Sequence, residues 1–181
     1  KISDIDILDF GCGWGRILRF FLREIPHKHI HGTDCWQEIL DFCKSSNKWC
    51  NFHVNNTFPP LNFPDESIDV IYLYSVFSHL SEEAHQAWMK DFRRVLRPGG
   101  LVIATTRSRN YLSWLDKTRK ANESKGLFNS IVATNAFPDI KNTIQAYDRG
   151  EFCYSGTGGG GPLDPSFYGE ACIPEAYVKN R

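Results

Sequence analysis

The chain has 181 residues, 41% of them hydrophobic and 23% charged, which suits one globular domain with a full core. Its 21 basic and 21 acidic residues cancel, so global charge offers nothing to draw it to nucleic acid or to an anionic membrane. The longest unbroken apolar stretch, Val70–Tyr74, falls far short of the ~20 residues of a membrane span, and six cysteines without a C-x-x-C pair read as free thiols of a reducing, cytoplasmic setting rather than as disulfides or a zinc site.

No signal peptide is visible, and Lys1 stands so close to the first predicted strand that a trimmed N-terminus is expected. Ile5–Phe10 reads as a short buried strand, followed by a turn with glycines at 11, 13 and 15. From Trp14 the period changes: Trp14, Ile17, Leu18, Phe21, Leu22 and Ile25 fall on one helical face, with Arg16, Arg19 and Arg23 on the other. Pro26 stops that helix. His29–Thr33 reads as a second strand ending at Asp34, with His27, His29 and His31 as solvated residues at its entrance. Trp36–Lys44 reads as a helix and Cys50–Val54 as a third strand.

Prolines at 59, 60 and 64 bracket a loop, and Ile68–Tyr74 is apolar on both faces, as in a central parallel strand. Ser81 can cap the next helix, whose stripe is Ala84, Ala87, Trp88, Phe92, Val95 and Leu96. Pro98-Gly99-Gly100 ends it, and Leu101–Thr105 is a strand again. Strand and helix alternate about five times, the pattern of a doubly wound parallel sheet. Residues 108–122 carry a helical pattern, whereas 123–170 read as irregular, with four consecutive glycines at 158–161. A segment of that kind suggests a lid, and Tyr147, Phe152, Tyr154, Phe167 and Tyr168 could line it or fill a satellite core. Ile173–Val178 reads as a helix start with proline in its first turn.

Glycines after a first strand let a backbone approach a ligand at the carboxyl end of the sheet. The dinucleotide fingerprint is G-x-G-x-x-G, but here the third glycine comes one residue early, and Asp9 precedes the first by two. A carboxylate there disfavours an anion and suits a ligand carrying positive charge. An acid at the end of a buried strand, as at Asp9 and Asp34, is costly without a partner.

The stretch Asp9-Phe10-Gly11-Cys12-Gly13-Trp14-Gly15 followed by a helix resembles motif I of class I S-adenosylmethionine (SAM)-dependent methyltransferases. Asp34, 19 residues after Gly15, stands where that family places the acid that holds the ribose. Phe63–Ile71 is similar to the family's F-x-D-x-S-F-D-x-V/I run into strand four, and Arg94–Gly100 to its R-x-L-K/R-P-G-G turn. The resemblance covers residues 5–106. It implies a Rossmann-like doubly wound, mostly parallel sheet of strand order 3-2-1-4-5, with residues 1–107 as the cofactor-binding core, 108–173 as an irregular insertion or lid and 174–181 as the start of a last helix. The family's final antiparallel strand pair is then expected to be missing, leaving an exposed edge at strand five.

Carried onto this chain, the resemblance implies SAM as cofactor and S-adenosylhomocysteine (SAH) as product. Gly11, Cys12 and Gly13 would lie against the methionine half, and Asp9 would help hold its ammonium. Asp34 would accept from the ribose, and Cys35 and Trp36 would flank the adenine. Asn56, with Asn55 as its alternative, would stand near the adenine amino group. Leu73, Tyr74 and Ser75 would face the methyl, with Tyr74 and His79 as catalytic candidates, although ordering the loop before Ser81 is the stronger reading of His79. No N/D-P-P-Y/F signature follows strand four. Ser75–Leu80 instead resembles the S-x-x-x-H-L segment of small-molecule methyltransferases, so a small-molecule acceptor is expected, without nucleic acid or membrane. Arg107, Arg109 and Tyr111 follow strand five, on the side where substrates usually enter. The competing functions are a non-catalytic SAM-binding sensor or scaffold and a nicotinamide-dependent oxidoreductase, the latter disfavoured by the early third glycine.

Overall fold

A computed structural model describes residues 4–121 and 135–180. The chain divides into two compact units: Lys1–Val76 with Ala84–Thr105, and Phe77–Glu83 with Thr106–Arg181. All six cysteines are free thiols, and no helix among the described residues is long and apolar enough to cross a membrane.

In the first unit, β1 (Ile7–Phe10), β2 (Ile30–Asp34), β3 (Asn51–Val54), β4 (Ile68–Leu73) and β5 (Leu96–Ala104) form one sheet in the order β3-β2-β1-β4-β5, the expected order, with every pairing parallel. Residues alternate between its faces. Leu8 and Phe10 take one face, where the Phe10 ring meets Trp88 at 4.6 Å and Phe92 at 5.0 Å, both on α3 (Glu82–Val95). Ile7 and Ile30 take the other, packed with Leu18 of α1 (Leu18–Phe21) and Leu40 and Cys43 of α2 (Gln37–Ser46).

Two local expectations fail for physical reasons. The helix expected from Trp14 to Ile25 shrinks to Leu18–Phe21, because Gly13 (φ +49°) and Gly15 (φ +68°) hold the chain in left-handed turns that no α-helix can begin in. Trp14 therefore leaves the apolar stripe; it is 62% exposed and makes a T-shaped ring contact with Phe42, at 5.3 Å. The Pro98-Gly99-Gly100 turn does not precede β5 but interrupts it. Ile68 pairs with Leu96 and Val70 with Leu101, so the single residue Asp69 faces four residues that loop out. Arg97, inside this loop, closes on Asp69 and, at 2.9 Å, on Asp6.

The second unit corrects the expectation of an irregular insertion. Besides α4 (Arg109–Ala121) it holds α5 (Ile140–Asp148), an antiparallel pair of β6 (Cys153–Ser155) with β7 (Glu170–Cys172), and α6 (Glu175–Lys179). Asp139 caps α5, its carboxylate accepting from Asn142 N at 3.1 Å. Leu112, Leu115, Phe137, Ile140, Cys153 and Cys172 form a core of their own, against which Tyr147 packs. The β6–β7 pair is a separate sheet and is not hydrogen-bonded to β5. Among the described residues the parallel sheet thus ends at β5, where Leu101 and Ile103 are exposed, as expected of an open edge.

Candidate cofactor site

The carboxyl ends of β1, β2 and β3 and the glycine turn, all in the first unit, bring most of the sequence-predicted residues together. Gly11 N and Cys12 N both donate to Thr33 O, at 2.8 and 3.0 Å, which ties the turn to the end of β2. Asp34 accepts from Gly13 N through Oδ2 and from Trp36 N through Oδ1, each at 3.0 Å. Cys43 Sγ donates to Gly13 O at 3.2 Å. The turn is therefore pinned from below by backbone and from the side by Asp34. A Cβ built on Gly13 would meet nothing within 4 Å, so this backbone borders open space. The Cys12 side chain is buried, burial above all pushes its thiol pKa far up, and its Sγ donates to Gly13 O at 3.8 Å within the turn.

Gly11 is more tightly constrained. Its φ is +73°, and a Cβ there would lie 2.4 Å from Val76 Cγ2. Gly11→Ala should therefore destabilise the protein by about 2 kcal/mol, from the left-handed backbone and the collision together. In a double-mutant cycle by urea unfolding, Val76→Ala should recover the collision but not the backbone strain, giving a favourable coupling. Additive effects would show that the methyl contact is unimportant.

Asp9 lies on the same sheet face as Gly32 and Tyr72. It is only 2% exposed, and its Oδ2 has no hydrogen-bond partner among the described residues. Burial, and secondarily the charge of Asp34, pushes its pKa up to about 7. A buried carboxylate with an orphaned oxygen beside an open turn is what a cationic ligand would satisfy.

Next to Asp34, the Cys35 thiol is half-buried and pushed up to about 11, mainly by burial, so it offers an uncharged wall. The structure separates the two asparagines. Asn55 is engaged in the fold, its Oδ1 2.7 Å from the Thr33 hydroxyl and its N donating to Asp34 O at 3.1 Å. The exposed Asn56 uses its backbone carbonyl to receive Asn55 Nδ2 at 2.6 Å, leaving its side chain outside these contacts.

At the end of β4, Leu73 is fully buried and its carbonyl accepts from Thr105 N at 3.0 Å. Tyr74 is 46% exposed, with the Arg16 guanidinium 5.5 Å from its ring centroid. Ser75 adopts φ +61°, unusual for a side-chain-bearing residue, and its N donates to Thr105 Oγ1 at 2.7 Å. Thr33, Thr105 and Arg16 were not singled out as site residues. Their roles depend on pairings between distant strands and turns, which leave no local signal.

His79 belongs to the second unit. Its Nδ1 donates to Gly169 O at 2.7 Å, its Nε2 lies 3.3 Å from Arg107 Nη2, and its ring stacks on Tyr168 at 5.1 Å. Burial first, then the Arg107 charge, lowers its pKa to about 4, so the ring is neutral at neutral pH. Arg107 in turn closes on the buried Glu170, which also accepts from Tyr111 OH at 2.5 Å. Arg109 pairs with Asp148 at 2.6 Å.

A doubly wound parallel sheet whose first turn is glycine-rich and flanked by two strand-end carboxylates defines a nucleoside-binding Rossmann-like core. Residues 7–100, more than half the chain, match the methyltransferase domain family; the chain belongs to that family, as the motif I resemblance implied. Its members draw on SAM, and the orphaned Asp9 carboxylate and open Gly13 backbone fit that cofactor. The chain is 31% identical over 104 residues to a demethylmenaquinone methyltransferase of Thermotoga maritima, covering 57% of this chain and 44% of that one. It is 28% identical over 106 residues to the tRNA N(3)-cytidine methyltransferase METTL2 of Gallus gallus, covering 54% and 29%. A solved SAM-dependent methyltransferase from Mesorhizobium loti shares the fold, with a TM-score of 0.52 at 19% identity over 61% of this chain and 50% of that one. The chain spans 29–44% of the length of the curated relatives it matches. The tRNA methyltransferase among these relatives stands against the expectation that nucleic acid is excluded.

Proposed function

We propose that this chain is the cofactor-binding core of an enzyme that transfers a methyl group from SAM to a small-molecule acceptor. The observation that carries the cofactor reading is the pair Asp9 and Asp34 around the turn: one carboxylate buried without a partner, the other holding the turn's backbone. In this reading Gly11, Cys12 and Gly13 present backbone to the methionine half, and Asp9 faces its ammonium. Asp34 keeps lone pairs for the ribose hydroxyls. Cys35 borders the adenine, and Asn56 reaches its amino group, because Asn55 is committed to Thr33.

SAM supplies an electrophilic methyl on a sulfonium, ready for in-line displacement. The protein's task is then to align the acceptor and exclude water, and a dedicated base is optional. Tyr74, exposed at the end of β4, would meet the acceptor, whereas the expected partner Leu73 is fully buried beside it. His79 is read as a positioning residue rather than a base, since Gly169 O and Arg107 engage its two nitrogens. A small-molecule acceptor is supported by the missing N/D-P-P-Y/F signature after β4 and by the resemblance of Ser75–Leu80 to small-molecule enzymes. An RNA acceptor is the second reading, favoured by the tRNA methyltransferase relatives.

Calorimetric titration with SAH and NAD, followed by turnover assays with labelled SAM over quinol, phenol, amine and RNA acceptors, tests the proposal. SAH should bind in preference to NAD, and one acceptor class should be methylated. Preference for NAD would sink the cofactor reading, and binding without turnover on any acceptor would favour a sensor module.

A further inference from the structure

Arg16, Arg19 and Arg23 follow the glycine turn at spacings of three and four; Arg19 lies in α1, Arg16 and Arg23 lie in the turns on either side of it, and all three are exposed. Among the described residues none of the three makes an ion pair. Arg94, Arg97, Arg107, Arg109 and Arg149, by contrast, each close on a carboxylate. Three exposed guanidinium groups without a carboxylate partner among the described residues thus stand in the stretch that follows the turn. Arg16 is exposed and is the member that reaches the end of β4, where its guanidinium lies over Tyr74. Tyr74 is itself half-exposed, and its hydroxyl makes no hydrogen bond among the described residues. Two exposed side chains, one with a charged and one with a neutral donor, therefore meet at the strand end assigned to the acceptor. Neighbouring Ser75 is held at φ +61°, a strained backbone of the kind that gathers where ligands are positioned.

We propose that Arg16 and Tyr74 bind a phosphate group of the methyl acceptor, with Arg19 adding charge behind them. The assignment rests on the SAM-dependent reading above. A row of uncompensated guanidinium groups exceeds what one carboxylate needs and matches a phosphate, whose oxygens take the planar fork of arginine in pairs. The aromatic ring under Arg16 restrains the guanidinium without neutralising it. The same chemistry is available from a phosphorylated small molecule and from the phosphodiester of RNA, and the test separates the two.

The SAH-loaded protein is titrated with phenyl phosphate, with phenol, and with a single-stranded RNA of about ten nucleotides. Phenyl phosphate should bind at least about tenfold more tightly than phenol. Arg16→Gln should weaken phenyl phosphate about tenfold and Tyr74→Phe about threefold, while SAH binding to Arg16→Gln stays at its wild-type value. A small-molecule phosphate is indicated if the RNA gains nothing over phenyl phosphate. An RNA phosphate is indicated if the RNA binds more tightly, if salt weakens it steeply, and if Arg19→Gln and Arg23→Gln each reduce its affinity. Equal binding of phenyl phosphate and phenol, or anion binding indifferent to Arg16→Gln, overturns the proposal while SAH binding remains intact. Failure of the wild type to bind SAH would instead overturn the cofactor reading, and this assignment with it.

Discussion

Asp34→Ala should lower the affinity for SAH by about 100-fold. Each carboxylate oxygen of Asp34 accepts one backbone N–H, from Gly13 and from Trp36, and keeps further acceptor capacity. On the proposed role, two ribose hydroxyls would donate to those lone pairs, each hydrogen bond to a carboxylate being worth about 1.5–3 kcal/mol. The lower end of that range for both bonds gives about 3 kcal/mol, or two orders of magnitude in affinity. Alanine also leaves the Gly13 N–H without its acceptor and loosens the turn at the point where its backbone borders open space. Asp34→Asn, which keeps one carbonyl oxygen and a similar shape, should fall between, at about tenfold. Calorimetric titration of the three proteins with SAH measures both effects. A loss smaller than about threefold in Asp34→Ala would mean that the carboxylate serves only the fold of the turn.

The parts of this fold that were legible in the sequence are those that short-range physics dictates. Ile7–Phe10, Ile30–Asp34 and Ile68–Leu73 are short and punctuated by turns, so the strands could be read directly, while their order 3-2-1-4-5 came from the family resemblance. The same holds for Asp9 and Asp34, whose strand-end positions follow from the strands themselves. What stayed hidden depends on contacts between distant residues. The late start of α1 needed the glycine φ values, and the Pro98–Gly100 loop needed the register of β5 against β4. The β6–β7 pair joins Cys153 to Cys172 across a glycine-rich stretch whose composition suggests only a loop. In that stretch Gly158 N donates to Tyr168 O at 2.9 Å and Gly159 N to Leu163 O at 3.0 Å, so the run of glycines makes compact turns.

The site divides in the same way. The two asparagines at 55 and 56 are equivalent to a reader of the sequence, and only the Thr33 hydroxyl distinguishes them. His79 carries the chemistry of a general base in any sequence. Its surroundings decide otherwise: burial first and the Arg107 charge second keep the ring neutral, while Gly169, Arg107 and Tyr168, which fix its position, lie 90, 28 and 89 residues away. Arg16 read as the polar side of an amphipathic helix, and its meeting with Tyr74 followed only when β1 and β4 were seen side by side.

Asp9→Asn should stabilise the protein while weakening its ligand. In the folded chain the Asp9 carboxyl is raised from 3.8 to about 7 by burial, with Asp34 adding to the shift. In the unfolded chain it titrates at its ordinary value. Between those two pH values the native state holds a proton that the unfolded state has released, so stability falls as pH rises through the window. At about pH 8 the native protein carries a buried, partnerless charge, a penalty of about 4 kcal/mol if the whole shift is expressed. Asparagine removes the charge but keeps a buried polar group, so urea unfolding should show a gain of about 3 kcal/mol at pH near 8 and little difference below about pH 4. The ammonium of the amino-acid half of SAH would supply the missing countercharge. SAH affinity of the wild type should therefore rise from about pH 5 to about pH 8, with proton release on binding detectable in buffers of different ionisation enthalpy. Asp9→Asn should lose that pH dependence and bind more weakly at the upper end. A variant less stable than the wild type at pH near 8 would show that the carboxylate has a structural partner after all. A more stable variant with flat, weakened SAH binding would identify Asp9 as a residue whose cost to the free protein is recovered only when the cofactor is bound.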